Sequence, residues 1–243
     1  MKTFKHSGDL GDIIYSLPTI RGLGGGILYL DPEGGAKDGL VSKQCPDGKT
    51  KLDKEKIHSL KPILEAQPYI KGVKIWKGEL VTHNLDEFRI VFSNPNKRSP
   101  TSNLSDCHLE RFGLSFSETD LPWLNVAGKT KLNRSIIISR SPRYQAGYAQ
   151  LNSMKMYLKD NAIFIGLPKE HEYFEYTFDI KIPYQKTETI MELAEVINGS
   201  EVFIGNPSFP LSLAIGMGHT RIIQEVYPKV PNTVFSNKLM TYL

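Results

Sequence analysis

Two turn-to-helix loops, one near each end of the chain, constrain its fold most: HSGDLGDIIYSLP at 6–18 and FIGNPSFPLSLAIG at 203–216. Each follows a short β-like run and leads into an apolar, helix-like segment. Such a turn aims unpaired backbone N–H groups and the positive end of a helix at an anion. Two of them, far apart in sequence, predict two facing halves with a charged ligand between them.

The segments around these loops alternate between strand and helix. Residues 2–6 read as a first strand, Gly8–Gly11 as a tight turn, and Ile13, Ile14, Leu17 and Ile20 as the buried stripe of the next helix. Pro18 should bend that helix or delay its regular start. Gly22 and Gly24–Gly26 stop it, and ILYLD at 27–31 follows as a buried strand, which completes a β-α-β unit with parallel pairing. The Gly-, Lys- and Asp-rich stretch Pro32–Lys51 reads as an exposed excursion. Asp53 can cap a helix running to about Ala66, with Pro62 as an irregularity. VKIW at 73–76 and RIVF at 89–92 are expected strands; a polar loop over 93–105 leads to a short helix around Cys107–Phe112, and this half ends near PWLNV. The polar segment AGKTKLNR at 127–134 reads as a linker, which gives an N-terminal domain over 1–126 and a C-terminal domain over 135–243. In the second half SIIIS, AIFIG, DIKIP, EVFIG and RIIQE read as strands, and Thr189–Asn198 as a helix ended by Asn198 and Gly199. The alternation predicts an α/β protein with two doubly wound, Rossmann-like domains and ligands at the carboxyl ends of the strands.

At 243 residues and 40% hydrophobic content the chain has ample material for packed cores. Its 30 basic and 26 acidic residues are spread along it, and the resulting charge of +4 suits an anionic ligand without marking a nucleic-acid-binding stripe. Cys45 and Cys107 lack a metal-knuckle spacing and read as free thiols in a reducing compartment. With no signal peptide and no membrane-length apolar run, the expectation is a cytoplasmic protein without a transmembrane segment.

Several nucleotide signatures fail. The GKT triplets at Gly48 and Gly128 lack the upstream glycine of a P-loop, since Lys43 and Trp123 stand there. Gly22–Gly26 precedes a strand instead of following one, so it is no dinucleotide fingerprint. Without an Asp-x-Asp or an HxxxH pair, metal chemistry is not expected, and no metal site or cofactor is assigned. In GDLGD, Gly8 and Gly11 permit positive φ and close approach to a ligand, while Asp9 and Asp12 bring carboxylates to the end of strand one. Asp12, in the first helical turn, fits either a helix cap or a general base beside a sugar hydroxyl. In GNPSFP, Asn206 or Ser208 can cap the next helix, and the remaining N–H groups of Gly205–Phe209 could hold a diphosphate, or the loop is an ordinary capped turn. Arg140 and Arg143 lie just past strand 135–139 and suit phosphate or a solvated surface. Glu170 and Glu225, at the ends of later strands, could accept hydrogen bonds from a ribose or base, or face solvent.

GDLGDIIYSLPTIRGL resembles the opening of family 9, heptosyltransferase-like glycosyltransferases, whose loop reads approximately LGDhhhxxPhhRxL. TIMELAEVINGSEVFIGNPSFPLSLAIGMG is similar to the same group's later helix, strand, small-residue loop and helix; LKPILEAQPYI, NLDEFR and PWL are similar to a short subgroup. The resemblance implies a GT-B architecture, with a nucleotide-diphosphate sugar as donor substrate, held mainly by the C-terminal half. It also implies metal-independent transfer to an acceptor hydroxyl with inversion. By it Asp12 is the catalytic base; from their places in the two loops and at the strand ends, Ser7, Gly8, Asp9 and Gly11 are expected to form the acceptor-side loop, and Arg140, Arg143, Glu170, Gly205, Asn206, Ser208, Phe209 and Glu225 to bind the donor. The acceptor would be a glycan, a lipid-linked saccharide or modified DNA. Pro207, Phe209 and Ser212 depart from the family's Asp, Gly and His, which keeps a catalytically silent nucleotide-sugar binding protein as an alternative.

Overall fold

The computed structural model describes residues 1–34, 52–94, 102–227, 232–235 and 240–243. They form two compact units, Met1–Asn125 and Val126–Leu243. Cys45, the GKT at Gly48 and most of the Pro32–Lys51 stretch lie outside the described residues.

In the first unit β1 (Lys2–His6), α1 (Leu10–Gly22) and β2 (Gly26–Leu30) form the expected β-α-β unit, with β1 and β2 parallel. Gly24 and Gly25, at φ of 86° and 75°, turn the chain out of α1 by a backbone that side chains disfavour. Next come α2 (Lys54–Glu65), capped by Asp53 accepting from the Lys56 N–H, and β3 (Ile70–Ile75). β4 (His83–Asn84) and a 3₁₀ turn over Leu85–Glu87 lead into α3 (Phe88–Phe92), and α4 (Leu104–Arg111) follows. The sheet order is β3-β2-β1-β4, with every pairing parallel.

RIVF is therefore a helical segment and not the strand expected. The Asn84 side chain accepts from the Asp86 N–H and starts the helical turns, so Phe88 and Val91 reach the core at helical spacing. An apolar run of four carries too little periodicity to decide between the two states.

Pro18 does not delay α1, which starts at Leu10 and continues through it. A proline at 18 removes the N–H that would bond the Ile14 carbonyl. The Trp123 indole N–H donates to that carbonyl at 3.1 Å. Arg21 in the last turn of α1 donates to the Pro122 carbonyl at 2.8 Å, and Gln67 exchanges hydrogen bonds with the Asn125 backbone. Thus PWLN is bound to α1 and to the turn after α2.

The second unit contains β5 (Ile136–Ser139), α5 (Tyr148–Ser153), α6 (Lys155–Asn161), β6 (Ala162–Ile165), α7 (Pro168–Phe178) and β7 (Tyr184–Gln185). α8 (Ile190–Gly199), β8 (Val202–Gly205), α9 (Phe209–Gly216), β9 (Ile222–Gln224) and β10 (Met240–Tyr242) complete it. The all-parallel sheet runs β10-β9-β8-β5-β6-β7. Every residue of β5 and β6 is buried, as expected of parallel strands covered on both faces. DIKIP forms no strand. Ile180 and Ile182 instead pack into the core beside Phe174 and Phe178, and pairing begins only at Tyr184.

The 127–134 segment has no regular structure, yet its start is held by α8. Asn198 donates to the carbonyls of Val126 and Gly128 at 3.1 and 3.0 Å, and the Thr130 N–H donates to the Glu195 carbonyl.

Candidate functional site

Each sheet reverses its winding beside its first strand, between β1 and β4 in one unit and between β5 and β8 in the other. Ligands of open parallel sheets bind outside the strand carboxyl ends at such a reversal. Both loops singled out in the sequence emerge there.

In the first unit the chain leaves β1 at His6 and enters α1 at Leu10. The Asp12 carboxylate accepts the Asp9 N–H at 3.2 Å, and Asp12 is only partly buried. It therefore does the capping work, in the turn where the helix dipole favours its charge. Asp9 is the N-cap residue, and Gly11 lies inside the helix. Neither Gly8 nor Gly11 has the positive φ expected of them. Gly8 is required by crowding instead: a Cβ there would stand 2.6 Å from His6 Cε1 and 2.8 Å from Asp12 Oδ2.

Asp86, just past β4, anchors this loop from below. It accepts from the Ser7 N–H at 3.0 Å and the Arg89 guanidinium at 2.7 Å, and pairs with Lys5 Nζ at 3.1 Å. Lys5 also pairs with buried Asp31 and sits over the Trp76 ring. Burial alone would raise the Asp86 pKa. Any charge on His6, the Arg89 guanidinium and the hydrogen bonds from Arg89 and Ser7 outweigh burial and hold it below the usual carboxylate range. His6 and His108, both fully buried, meet at 3.2 Å between their Nε2 atoms. Burial lowers the His6 pKa to about 4 and also holds His108 well below its ordinary value. Two histidines without HxxxH spacing thus form one buried pair, while the described residues hold no group of three or more side chains suited to a metal.

In the second unit, Arg140 follows β5 and Glu225 follows β9, and the two satisfy each other. Arg140 Nε donates to Glu225 Oε1 at 2.5 Å and a terminal nitrogen to Oε2 at 3.0 Å. They are 3% and 0% exposed, so Glu225 does not face solvent and Arg140 is not a surface cation. Arg140 also lies over the Phe178 ring, and its remaining terminal nitrogen, Nη1, is buried without a partner. Glu225 accepts the Ala146 N–H at 2.9 Å as well. Asn206, fully buried, caps no helix: its side chain accepts the Ser141 N–H and donates to the Ser141 and Arg143 carbonyls. Two strands thereby clamp the 140–147 loop, leaving Arg143 exposed at its tip beside Tyr144, whose ring meets Tyr227 edge-on.

Ser208 is the N-cap of α9 by position, but its hydroxyl makes no cap bond and is buried without a partner. Phe209 and Leu211 supply first-turn N–H groups, whereas Pro210 has none. A Cβ at Gly205 would lie 2.8 Å from Cε1 of Phe203 on the same strand and 3.1 Å from the Ser139 carbonyl of β5, so glycine fits this position best. Ser212 is fully buried and bonds the Phe209 carbonyl. Glu170 caps α7 by accepting the Leu167 N–H; burial raises its pKa, and that hydrogen bond together with nearby Arg143 opposes the rise. Sequence reasoning missed Asp86, His6, His108 and the clamping role of Asn206. His6 opens the HSGDLGD motif, Asn206 lies in GNPSFP and Asp86 in NLDEFR, so three of the four stood in segments singled out in the chain, whereas nothing local marked His108.

Two units of parallel, doubly wound sheet define a Rossmann-type α/β protein. Among solved structures, this fold is shared with a glycosyltransferase family 9 protein from Veillonella parvula DSM 2008, at 13% identity and a TM-score of 0.60, over 99% of this chain and 85% of that one. It is shared too with E. coli heptosyltransferase WaaC, solved with ADP-2-deoxy-2-fluoro heptose, at 9% identity and a TM-score of 0.55, over 100% of this chain and 93% of that one. Both are of the kind the loop motifs resemble. No family profile matches the sequence, and no curated protein is similar to it at a meaningful level.

Proposed function

We propose that the protein is a glycosyltransferase of GT-B architecture that moves a sugar from a nucleotide-diphosphate donor to an acceptor hydroxyl, without a metal and with inversion. The observation that carries this reading is the placement of both motif loops at the winding reversals of their sheets, in a chain whose fold matches glycosyltransferases over nearly its whole length. Asp12 takes the acceptor's hydroxyl proton as that oxygen bonds the anomeric carbon, and the breaking bond's electron pair leaves with the diphosphate. Backbone N–H groups of the Gly205–Phe209 loop, the Ser208 hydroxyl and Arg143 hold the diphosphate and offset its growing charge. Arg140, Glu225 and Asn206 act one step back, by fixing the loop that carries Arg143.

The acceptor is a glycan or lipid-linked saccharide hydroxyl. A modified base in DNA as acceptor has no observation behind it and is not proposed. Pro207 supports one second reading, a silent donor-binding protein, because it puts an N–H-less residue in the phosphate loop. No helix among the described residues is long and apolar enough to cross a membrane, and we place the reaction in the cytoplasm.

The test is Asp12→Asn. It should lower transfer about 10²- to 10⁴-fold while a nucleoside diphosphate still raises the melting temperature as it does for the parent protein. Full activity with an intact fold would remove Asp12 as the base. Any transfer by the parent protein excludes the silent reading.

A further inference from the structure

The loop that carries Asp12 is joined to the core by a chain of hydrogen bonds whose direction can be worked out bond by bond. His108 Nδ1 lies 2.8 Å from the Leu104 carbonyl. A carbonyl only accepts, so His108 carries its proton on Nδ1, and its Nε2 is left as an acceptor. That atom is 3.2 Å from His6 Nε2, which must then be the donor. With His6 protonated on Nε2, its Nδ1 is the acceptor, and it meets the Gly8 N–H at 2.8 Å. All three bonds are satisfied by one assignment, with both rings neutral. Gly8, at the end of this chain, is held between the His6 ring and the Asp12 carboxylate with no room for a side chain.

We infer that His6 and His108 are positioning residues for the Asp12 loop, setting the place of the proposed base through the Gly8 amide. The inference rests on the glycosyltransferase reading for its consequence in catalysis, but its structural core stands without it. The groups facing the pair are Lys5 on β1, Asp86 before α3, Arg89 on α3 and Asp12 on α1, with Phe88 stacked on His108 at 4.0 Å. Asp86 Oδ1 lies 3.5 Å from His6 Nδ1. A proton placed on Nδ1 would end its acceptance from Gly8 and turn it toward Asp86, releasing the loop. The low His6 pKa means that this does not happen near neutral pH.

The experiment uses the full chain labelled with ¹⁵N-histidine. Between pH 6 and 8 the ring nitrogens should report Nε2–H for His6 and Nδ1–H for His108, with neither titrating. The opposite tautomer at either ring, or titration near pH 6.5, would overturn the inference. Two variants separate positioning from packing. His108→Gln keeps an acceptor for His6 Nε2 and should retain the Gly8 amide shift and slow exchange. His108→Phe keeps the ring contact with Phe88 but not the acceptor; it should move that amide, speed its exchange and lower kcat about tenfold or more, with nucleoside diphosphate binding unchanged. If the two variants match each other in amide exchange and kcat, the positioning role is wrong. If the parent protein turns over no nucleotide sugar, the functional reading fails, and the tautomers and Gly8 amide still decide the positioning role.

Discussion

Arg140 and Glu225 are charged residues withdrawn almost wholly from water, and each is tolerable only because the other is there. Arg140→Met or Glu225→Met alone should destabilise the second unit by about 3–5 kcal/mol, because a buried charge loses its partner. The double variant should cost clearly less than the two losses added, which urea denaturation of all four proteins will measure. Additive losses would mean that the pair is not coupled. The same residues show where the sequence stops being informative. Arg140 and Glu225 each follow a strand, so their place at the carboxyl ends of the sheet was legible. That they neutralise one another across 85 positions was not. Asp86 and Ser7 are 79 positions apart, and His6 and His108 are 102 apart, so no local pattern announces either contact.

Among the elements, α1 offers the sharpest case. Its length and buried residues were legible from the spacing of Ile13, Ile14, Leu17 and Ile20, but Pro18 looked like a defect, and the partner that corrects it comes from 109 positions away. Trp123→Phe keeps most of the buried ring and removes the N–H to Ile14, which should cost about 1–3 kcal/mol for an unsatisfied buried carbonyl. Adding Pro18→Ala restores a helical N–H to that carbonyl and should recover part of the loss in thermal or urea melts. No recovery would show that Trp123 acts by packing alone. RIVF and DIKIP were misread for a related reason. Each is a short run whose state is set outside the run, by the Asn84 turn in the first and by Glu175, which takes the Ile180 and Ile182 N–H groups, in the second. The longer signals, β-α-β at the start and Thr189–Asn198 in the second half, survive because many residues agree on one periodicity.

For the molecule as a whole, two units with parallel sheets follow from the repeated alternation of strand and helix. The strand orders themselves, and hence the winding reversals at which both loops emerge, are tertiary facts. The buried imidazoles give stability a pH dependence of known sign. In the unfolded chain they take up protons near pH 6.5, and in the folded one His6 resists until about pH 4 and His108 also well below 6.5. The unfolded state therefore binds more protons across that window, and stability falls as pH drops from about 6.5 toward 4, by up to about 2.7 kcal/mol per pH unit for two sites. Below it, protonation of Asp86 adds a further loss, since its folded pKa is depressed. Urea midpoints measured from pH 4 to 7 should show the slope, and His108→Phe should flatten it.

The indole bond to Ile14 also has a meaning in time. During synthesis the first helix emerges early, yet the group that completes it at Pro18 arrives only with Trp123, after the rest of that unit has been made. A nascent chain halted before Trp123 would thus carry α1 with the Ile14 carbonyl still lacking the donor that fills the gap left by Pro18.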